Sequence, residues 1–289
     1  MDINEQASLS LIATRIKADV DAMAIARYAD DHRTHLGAST IAEDCLNYQW
    51  LTFRWADKED LSGRMYRLFQ RGHREEPIVV DYLEHIGFKV STVDPETGMQ
   101  WRVSGVNGHY GGSLDGIATM PTSYGFGDLR VLLEVKTNAT GLSFTKLTND
   151  GVKMQKPTHY GQQCAYGFEK GLTHSLYVNT NKNDDDMHIE IIKLDWELGK
   201  RLREKAERVI NSQEPLGKIA KSSTHKLCKY CKFVPVCHDG KKPEKSCRSC
   251  VSARPVENKE WYCDKWNAII PNKDAIKSGC DSWNAIING

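Results

Sequence analysis

Residues 129–137, LRVLLEVKT, constrain the fold of this 289-residue chain more tightly than any other stretch. A strand turns successive side chains to opposite faces, so Glu134 and Lys136 share one face and Val135 points to the other. Leucine and valine fill the surrounding positions, the pattern of an interior strand covered on both sides. An acid and a base in such a strand need a partner or a metal ion, because unpaired charge is costly to bury. One segment therefore implies a covered sheet with a polar site built into it.

The rest of the chain supplies the cover. Through residues 61–86, apolar residues (Met65, Leu68, Phe69, Ile78, Val79, Tyr82, Leu83) recur at three- and four-residue intervals and predict a helix stopped by Gly87. Pro77 opens a second helix there or kinks a single one. Extended stretches follow around FKVSTVD, WRVSGV, YGGSLDGIAT and LRVLLEVKT, parted by turn residues. After a polar loop, a helix is expected from Pro157 to Gly171, then strands at HSLYVNTNK and MHIEIIKLD, then a charged helix near WELGKRLREKAERVI. The chain up to about Trp55 reads as helical, with Ser10 and Ser39 as caps. This order predicts an α/β fold with a central mixed β-sheet flanked by helices. Beyond about Ser222 the texture turns to Cys, Lys, Pro and Trp. The divisions expected are a helical segment over 1–38, the main domain over 39–222, a Cys-rich staple over 223–242 and a small Cys-rich metal module over 243–289.

Charge and hydropathy exclude some classes. The net charge is only +1, so a nucleic-acid surface, if present, is a local patch. No run of eighteen apolar residues and no basic-then-apolar leader occur, so a soluble chain in the cytoplasm, without membrane contact, is expected. Nine cysteines in such a chain point to metal ligation over disulfides.

Asp115 lies in GGSLDGIAT, where flanking glycines let a backbone or phosphate approach. Two carboxylates on neighbouring strands suit magnesium, a hard ion that takes oxygen ligands and keeps several waters. Such an ion acidifies a water and stabilises charge on a phosphate, while a nearby lysine orients the nucleophile. Together, Gly72-x3-Glu76, SLDG with Asp115, Glu134-Val-Lys136 and Gln162-x3-Tyr166 resemble the PD-(D/E)XK nuclease superfamily over roughly residues 39–195, most of all its lambda exonuclease and RecB-type branches.

The resemblance implies a restriction-endonuclease-like core in which Asp115, Glu134 and the Val135 carbonyl hold Mg2+ or Mn2+. It further implies that Lys136 assists the attacking water, that Glu76 supports it from a helix, and that Gln162 and Tyr166 share a helical face. Leu114 stands where the family name has proline. Taken alone, Glu-x-Lys on a strand is more often an ion pair; Glu75 competes with Glu76, and His73 is a further candidate ligand. The implied activity is that of a DNA nuclease, foremost an exonuclease or end-processing enzyme of phage-type recombination or DNA breakdown, with a recombination or replication protein as partner. An endonuclease on the same core is the alternative. A non-catalytic DNA-binding protein on a relic core is a third reading, opposed by the presence of Asp115, Glu134 and Lys136.

The cysteines fall into two sets. Cys228-x2-Cys231-x5-Cys237 can share one ion or cluster, with the fourth ligand supplied from elsewhere. An early cysteine, Cys45, with this late triad resembles the iron–sulfur staple of AddB-type and CRISPR-associated nucleases, which implies a [4Fe-4S] cluster. Zinc suits four thiolates equally, and His225 or His238 could replace Cys45. In the tail, Cys247, Cys250, Cys263 and Cys280 predict a structural zinc site in a segment too short to build much core, with Trp261, Tyr262, Trp266 and Trp283 as its own small core. Cys164 is expected to serve packing.

Overall fold

The computed structural model describes residues 3–29, 32–58, 60–138 and 141–287, the side chains of residues 3–5 and 7 excepted. A long helix, α1 (Ile3–Tyr28), precedes a short strand, β1 (Leu36–Gly37), a 3-10 turn at Ala38–Thr40, and helices α2 (Leu46–Phe53) and α3 (Gly63–His85). Ser10 lies inside α1 and Ser39 inside the 3-10 turn, so neither caps a helix as expected. Helix α3 runs unbroken through Pro77 and ends where Gly87 adopts φ +96°, a backbone conformation that side chains other than glycine resist.

Strands β2 (Lys89–Ser91), β3 (Arg102–Gly105), β4 (Tyr110–Ser113), β5 (Gly116–Thr119) and β6 (Arg130–Asn138) follow. Next come α4 (Gly141–Gln155), α5 (Pro157–Lys170), β7 (His174–Asn181), β8 (Met187–Lys193) and α6 (Trp196–Asn211). The segment expected to be a polar loop is helix α4; it buries Phe144, Leu147 and Val152 on one side, a sparse stripe among polar residues that sequence periodicity did not expose. The stretch YGGSLDGIAT is two strands, because the chain leaves one sheet and enters another at Leu114–Asp115.

The larger sheet has the order β2-β5-β6-β7-β8, parallel only between β6 and β7. A parallel pair needs a long crossover, and α4 with α5 provide it. In register, Glu134 lies beside Tyr177, Val135 beside Val178 and Lys136 beside Asn179. Helix α3 covers the Val135 face, packing Val79 and Leu83 with Val131, Leu133, Leu176 and Val178. On the other face Leu147, Tyr160 and Cys164 meet Tyr177 and Ile192, while Ala165 and Tyr166 meet Ile117 and Leu132. Each such fully buried apolar side chain contributes about 1.5–3 kcal/mol. The result is a mixed α/β fold with helices on both faces of a mixed sheet, and β6 is its central strand.

The C-terminal part contains α7 (Val234–His238), a sheet of β9 (Ala253–Pro255), β10 (Trp261–Cys263) and β11 (Ala268–Ile269), and α8 (Lys273–Ser278). Its aromatics do not form a core of their own, because so short a segment cannot enclose one. Trp261, only 1% exposed, packs instead against Phe53 of α2 and His109 at centroid distances of 5.4 and 5.9 Å, while Trp266 lies on the surface. Two fully buried arginines complete the seam. Arg54 donates from Nη2 to the carbonyls of Cys250 and Ala253, each at 2.9 Å, and Arg248 donates to the Thr34 carbonyl at 2.9 Å. The Arg248 guanidinium lies 4.4 Å from the ring centres of Phe53 and Trp55 and 4.6 Å from that of Trp261. Aromatic faces offset part of the lost hydration of that cation; burial pulls both arginines below their usual pKa, Arg54 to about 9. No helix among the described residues is long and apolar enough to cross a membrane.

Candidate active site

Asp115 sits in the two-residue break between β4, in the sheet β1-β4-β3, and β5, in the larger sheet. Its Oδ2 accepts the backbone N–H of Val135 at 2.7 Å, which fixes the carboxylate against β6. Because Glu134 and Lys136 share a face, the Lys136 ammonium reaches back along the strand. It makes a close ion pair with Glu134 Oε1, donates to the Val135 carbonyl at 3.1 Å and lies 3.9 Å from Asp115 Oδ2. The three expected metal ligands thus converge, and a cation, the ammonium, already lies among them.

Glu134 is only 1% exposed. Burial holds its carboxyl above the usual carboxylate range, with Asp115 and Glu76 adding like charge and Lys136 pulling the other way. Burial alone would lower the Lys136 pKa, but Glu134 and Asp115 more than reverse that and leave it above the usual lysine range. The Glu134 Oε1 atom is buried against that ammonium.

From α3, Glu76 faces the same place. A cleft of about 440 Å3 is lined by Glu76, Asp115 and Val135, with Thr92 and Gln100 across it; Glu75 is not among its lining residues. His73 Nδ1 lies 3.2 Å from Glu76 Oε1, one helical turn away. Burial, then the charge of Asp115, raises the Glu76 carboxyl above its ordinary range.

Gln162 and Tyr166 are both buried on α5, one helical turn apart. The Tyr166 hydroxyl lies over Gly112 of β4, where a Cβ would come within 2.4 Å of it, so glycine is required there. Burial and the neighbouring Glu134 carboxylate raise the Tyr166 pKa.

Sequence reasoning missed a polar group behind Lys136. Tyr177 Oη accepts from Asn179 Nδ2 at 3.3 Å and lies 3.0 Å from His159 Nδ1. Burial, then the Lys136 charge, pulls His159 down to about 4, which keeps its imidazole neutral. His159 precedes Gln162 by three residues and so shares its helical face, a usable signal. Tyr177 and Asn179 gave none, because their phase against Glu134 depends on strand register.

Among the described residues, no group of three or more His, Cys, Asp and Glu side chains is drawn together tightly enough to hold a metal ion as it stands. Both cysteine sets nevertheless share a cavity each. Cys45, Cys228, Cys231 and Cys237 line one of about 360 Å3, together with His238 but not His225. Cys45 accepts the Tyr48 N–H at 3.4 Å and Cys237 accepts from Asn47 Nδ2 at 3.2 Å; burial raises Cys231 and Cys237 above the usual thiol pKa. Cys247, Cys250, Cys263 and Cys280 line a second cavity of about 290 Å3, and burial, then the neighbouring thiols, pushes Cys247 up to about 11. Cys164 is buried on α5 and packs with Tyr160 and Tyr177.

No protein-family model matches the sequence, and no curated protein sequence matches it. Among solved structures the chain is similar to an alkaline exonuclease, LHK-Exo, from Laribacter hongkongensis, at 18% identity over 62% of this chain and 87% of that one, with a TM-score of 0.41. It is similar also to LHK-Exo in complex with dAMP, at 17% identity over 61% and 86% with a TM-score of 0.42. The protein SSO0001 shares 14% identity over 78% and 97%, with a TM-score of 0.46. These scores describe a loose likeness of chain path.

Proposed function

We propose that the protein is a divalent-metal-dependent deoxyribonuclease that acts from DNA ends. The observation that carries this reading is the convergence of Asp115, Glu134 and the Val135 carbonyl on the Lys136 ammonium, beside a cleft that Asp115, Val135 and Glu76 line. The donor set, two carboxylates and a backbone carbonyl, is of the hard-oxygen kind that magnesium or manganese takes. A bound ion of this kind acidifies water and neutralises charge on a scissile phosphate. Lys136 holds a proton throughout, donates to the attacking oxygen and offsets charge growing on the phosphate. Glu76, oriented by His73, receives a proton from that water. Tyr166 stands near Glu134 on α5, where that carboxylate's charge raises its pKa.

The test uses end-labelled linear DNA and closed circular DNA, each with and without magnesium or manganese. Degradation of linear DNA alone, only with metal, is the expected result. Cutting of the closed circle would favour an endonuclease on the same core, and no cleavage of either would leave only a DNA-binding role.

A pH dependence follows. The raised Glu134 carboxyl keeps a proton that a metal ion must displace, so Mn2+ affinity should rise between about pH 6 and pH 8, by up to about tenfold per pH unit for each proton released. Titration calorimetry in buffers of different ionisation enthalpy counts those protons, and a pH-independent affinity without proton release would sink the assignment.

For the cysteines we propose a [4Fe-4S] cluster, or zinc in its place, at Cys45, Cys228, Cys231 and Cys237, and zinc at Cys247, Cys250, Cys263 and Cys280. Their support is the shared cavity of each quartet. Anaerobically purified protein should be brown, and Cys228→Ser or Cys45→Ser should bleach it while zinc stays bound. Colourless protein with two zinc ions would put zinc in both sites, and protein without either metal would remove both.

A further inference from the structure

A groove of about 660 Å3 runs between the end of α1, residues 32–34, the chain after Trp55, and α3. Tyr66, Phe69 and His73 of α3 line one side, and Arg33, Lys58 and Lys232 stand around it. Among the described residues that line it Asp57 is the one acid, and Lys241 pairs with it at 2.8 Å. Phe69 is 44% exposed and meets Tyr66 edge to face, with ring centres 6.4 Å apart. At the far end of this row, His73 is the residue that holds Glu76, so the groove and the catalytic cleft share one helix and adjoin through one hydrogen bond.

A basic segment reaches the groove at one residue. The whole chain carries +1, yet residues 218–245 hold eight lysines against only Asp239 and Glu244. Lys232 stands at the groove beside the rings of Tyr66 and Phe69, whereas Tyr230, two residues earlier, lines the Cys45 cavity instead. Basic side chains interleaved with accessible rings are the means by which a protein holds a nucleic-acid strand without reading its sequence. A duplex keeps its base faces stacked inside, whereas an unpaired strand offers them to such rings.

We propose that this groove is the track for a single strand of DNA approaching the cleft at Glu76, with bases stacked on Phe69 and Tyr66 and phosphates held by Arg33, Lys58 and Lys232. The nuclease reading supplies the strand's destination; the groove's composition supplies its occupant.

Fluorescence anisotropy of the full-length protein, in calcium to avoid cleavage, tests it with a labelled oligo(dT) and a duplex closed by hairpins at both ends. Phe69→Ala should weaken oligo(dT) binding about tenfold, and Phe69→Tyr, which keeps a ring, should restore it. Lys58→Glu with Lys232→Glu should flatten the logarithmic salt dependence by about one to two units. The same reversal at Lys200, exposed on α6, should change neither. Oligo(dT) binding indifferent to both groove changes, or an equal loss on the closed duplex, overturns the track. Hydrolysis of thymidine 5′-(p-nitrophenyl phosphate) by the unaltered protein separates the two readings: its absence, with groove-dependent oligo(dT) binding intact, defeats the nuclease and leaves the track. Hydrolysis with groove-independent binding defeats the track alone.

Discussion

Asp115→Asn and Glu134→Gln should each reduce phosphodiester cleavage by about 10^3-fold or more, because each takes a charged oxygen from a cation position that supplies several kcal/mol to the transition state. The fold should survive both. Glu134→Gln removes a charge that burial already disfavours, and Lys136 still has Asp115 within 3.9 Å. Asp115→Asn keeps an oxygen for the Val135 N–H, whereas Asp115→Ala would strand that donor at a cost of about 1–3 kcal/mol. Lys136→Met should be comparably inactive while still binding Mn2+. Turnover of linear DNA, measured beside thermal midpoints and Mn2+ titrations, checks all three, and near-normal turnover in either carboxylate variant would move the site elsewhere.

The second large effect concerns the tail. Ending the chain after Pro243 should unfold the whole protein, not merely release a module. Trp261 is buried against Phe53 and His109, and a Trp→Ala change in such a place costs about 3–5 kcal/mol. The truncation also removes Arg248 from its three rings and strips Arg54 of Trp261 and of both carbonyls it donates to, opening this edge of the core to water. Against a typical net stability of about 5–15 kcal/mol these losses are decisive. Urea titration followed by circular dichroism gives the answer for Trp261→Ala and for the truncation. A shortened chain with an unchanged cooperative midpoint would show that the seam is decorative.

The legibility of this chain tracks the range of the interactions involved. LRVLLEVKT announced a central strand because alternation and apolar content act within nine residues, and Gly87 and Gly171 announced helix ends because a positive φ is a local need. Helix α4 was hidden since its three buried residues lie among Thr, Asn, Asp and Lys, and its kink at Gly151 breaks the period. At the site, Asp115, Glu134 and Lys136 could be picked out by residue type. That Tyr177 and Asn179 stand behind them could not, because only the pairing of β6 with β7 sets that phase. The destination of Trp261 was equally invisible: a tryptophan beside cysteines reads the same whether it fills a small module or plugs a neighbouring core.

The meeting of Cys45 with the 228–237 segment joins distant parts of the chain. Asn47 and Cys237, which touch at 3.2 Å, are 190 residues apart in sequence. A metal shared by Cys45 and the late thiols would find its ligands together only in the folded chain, because such a site is not preformed in the unfolded one, and its binding free energy would count as folding free energy. Stripping it would then loosen the closure between the beginning and the end of the chain, far from the cleft at Glu76.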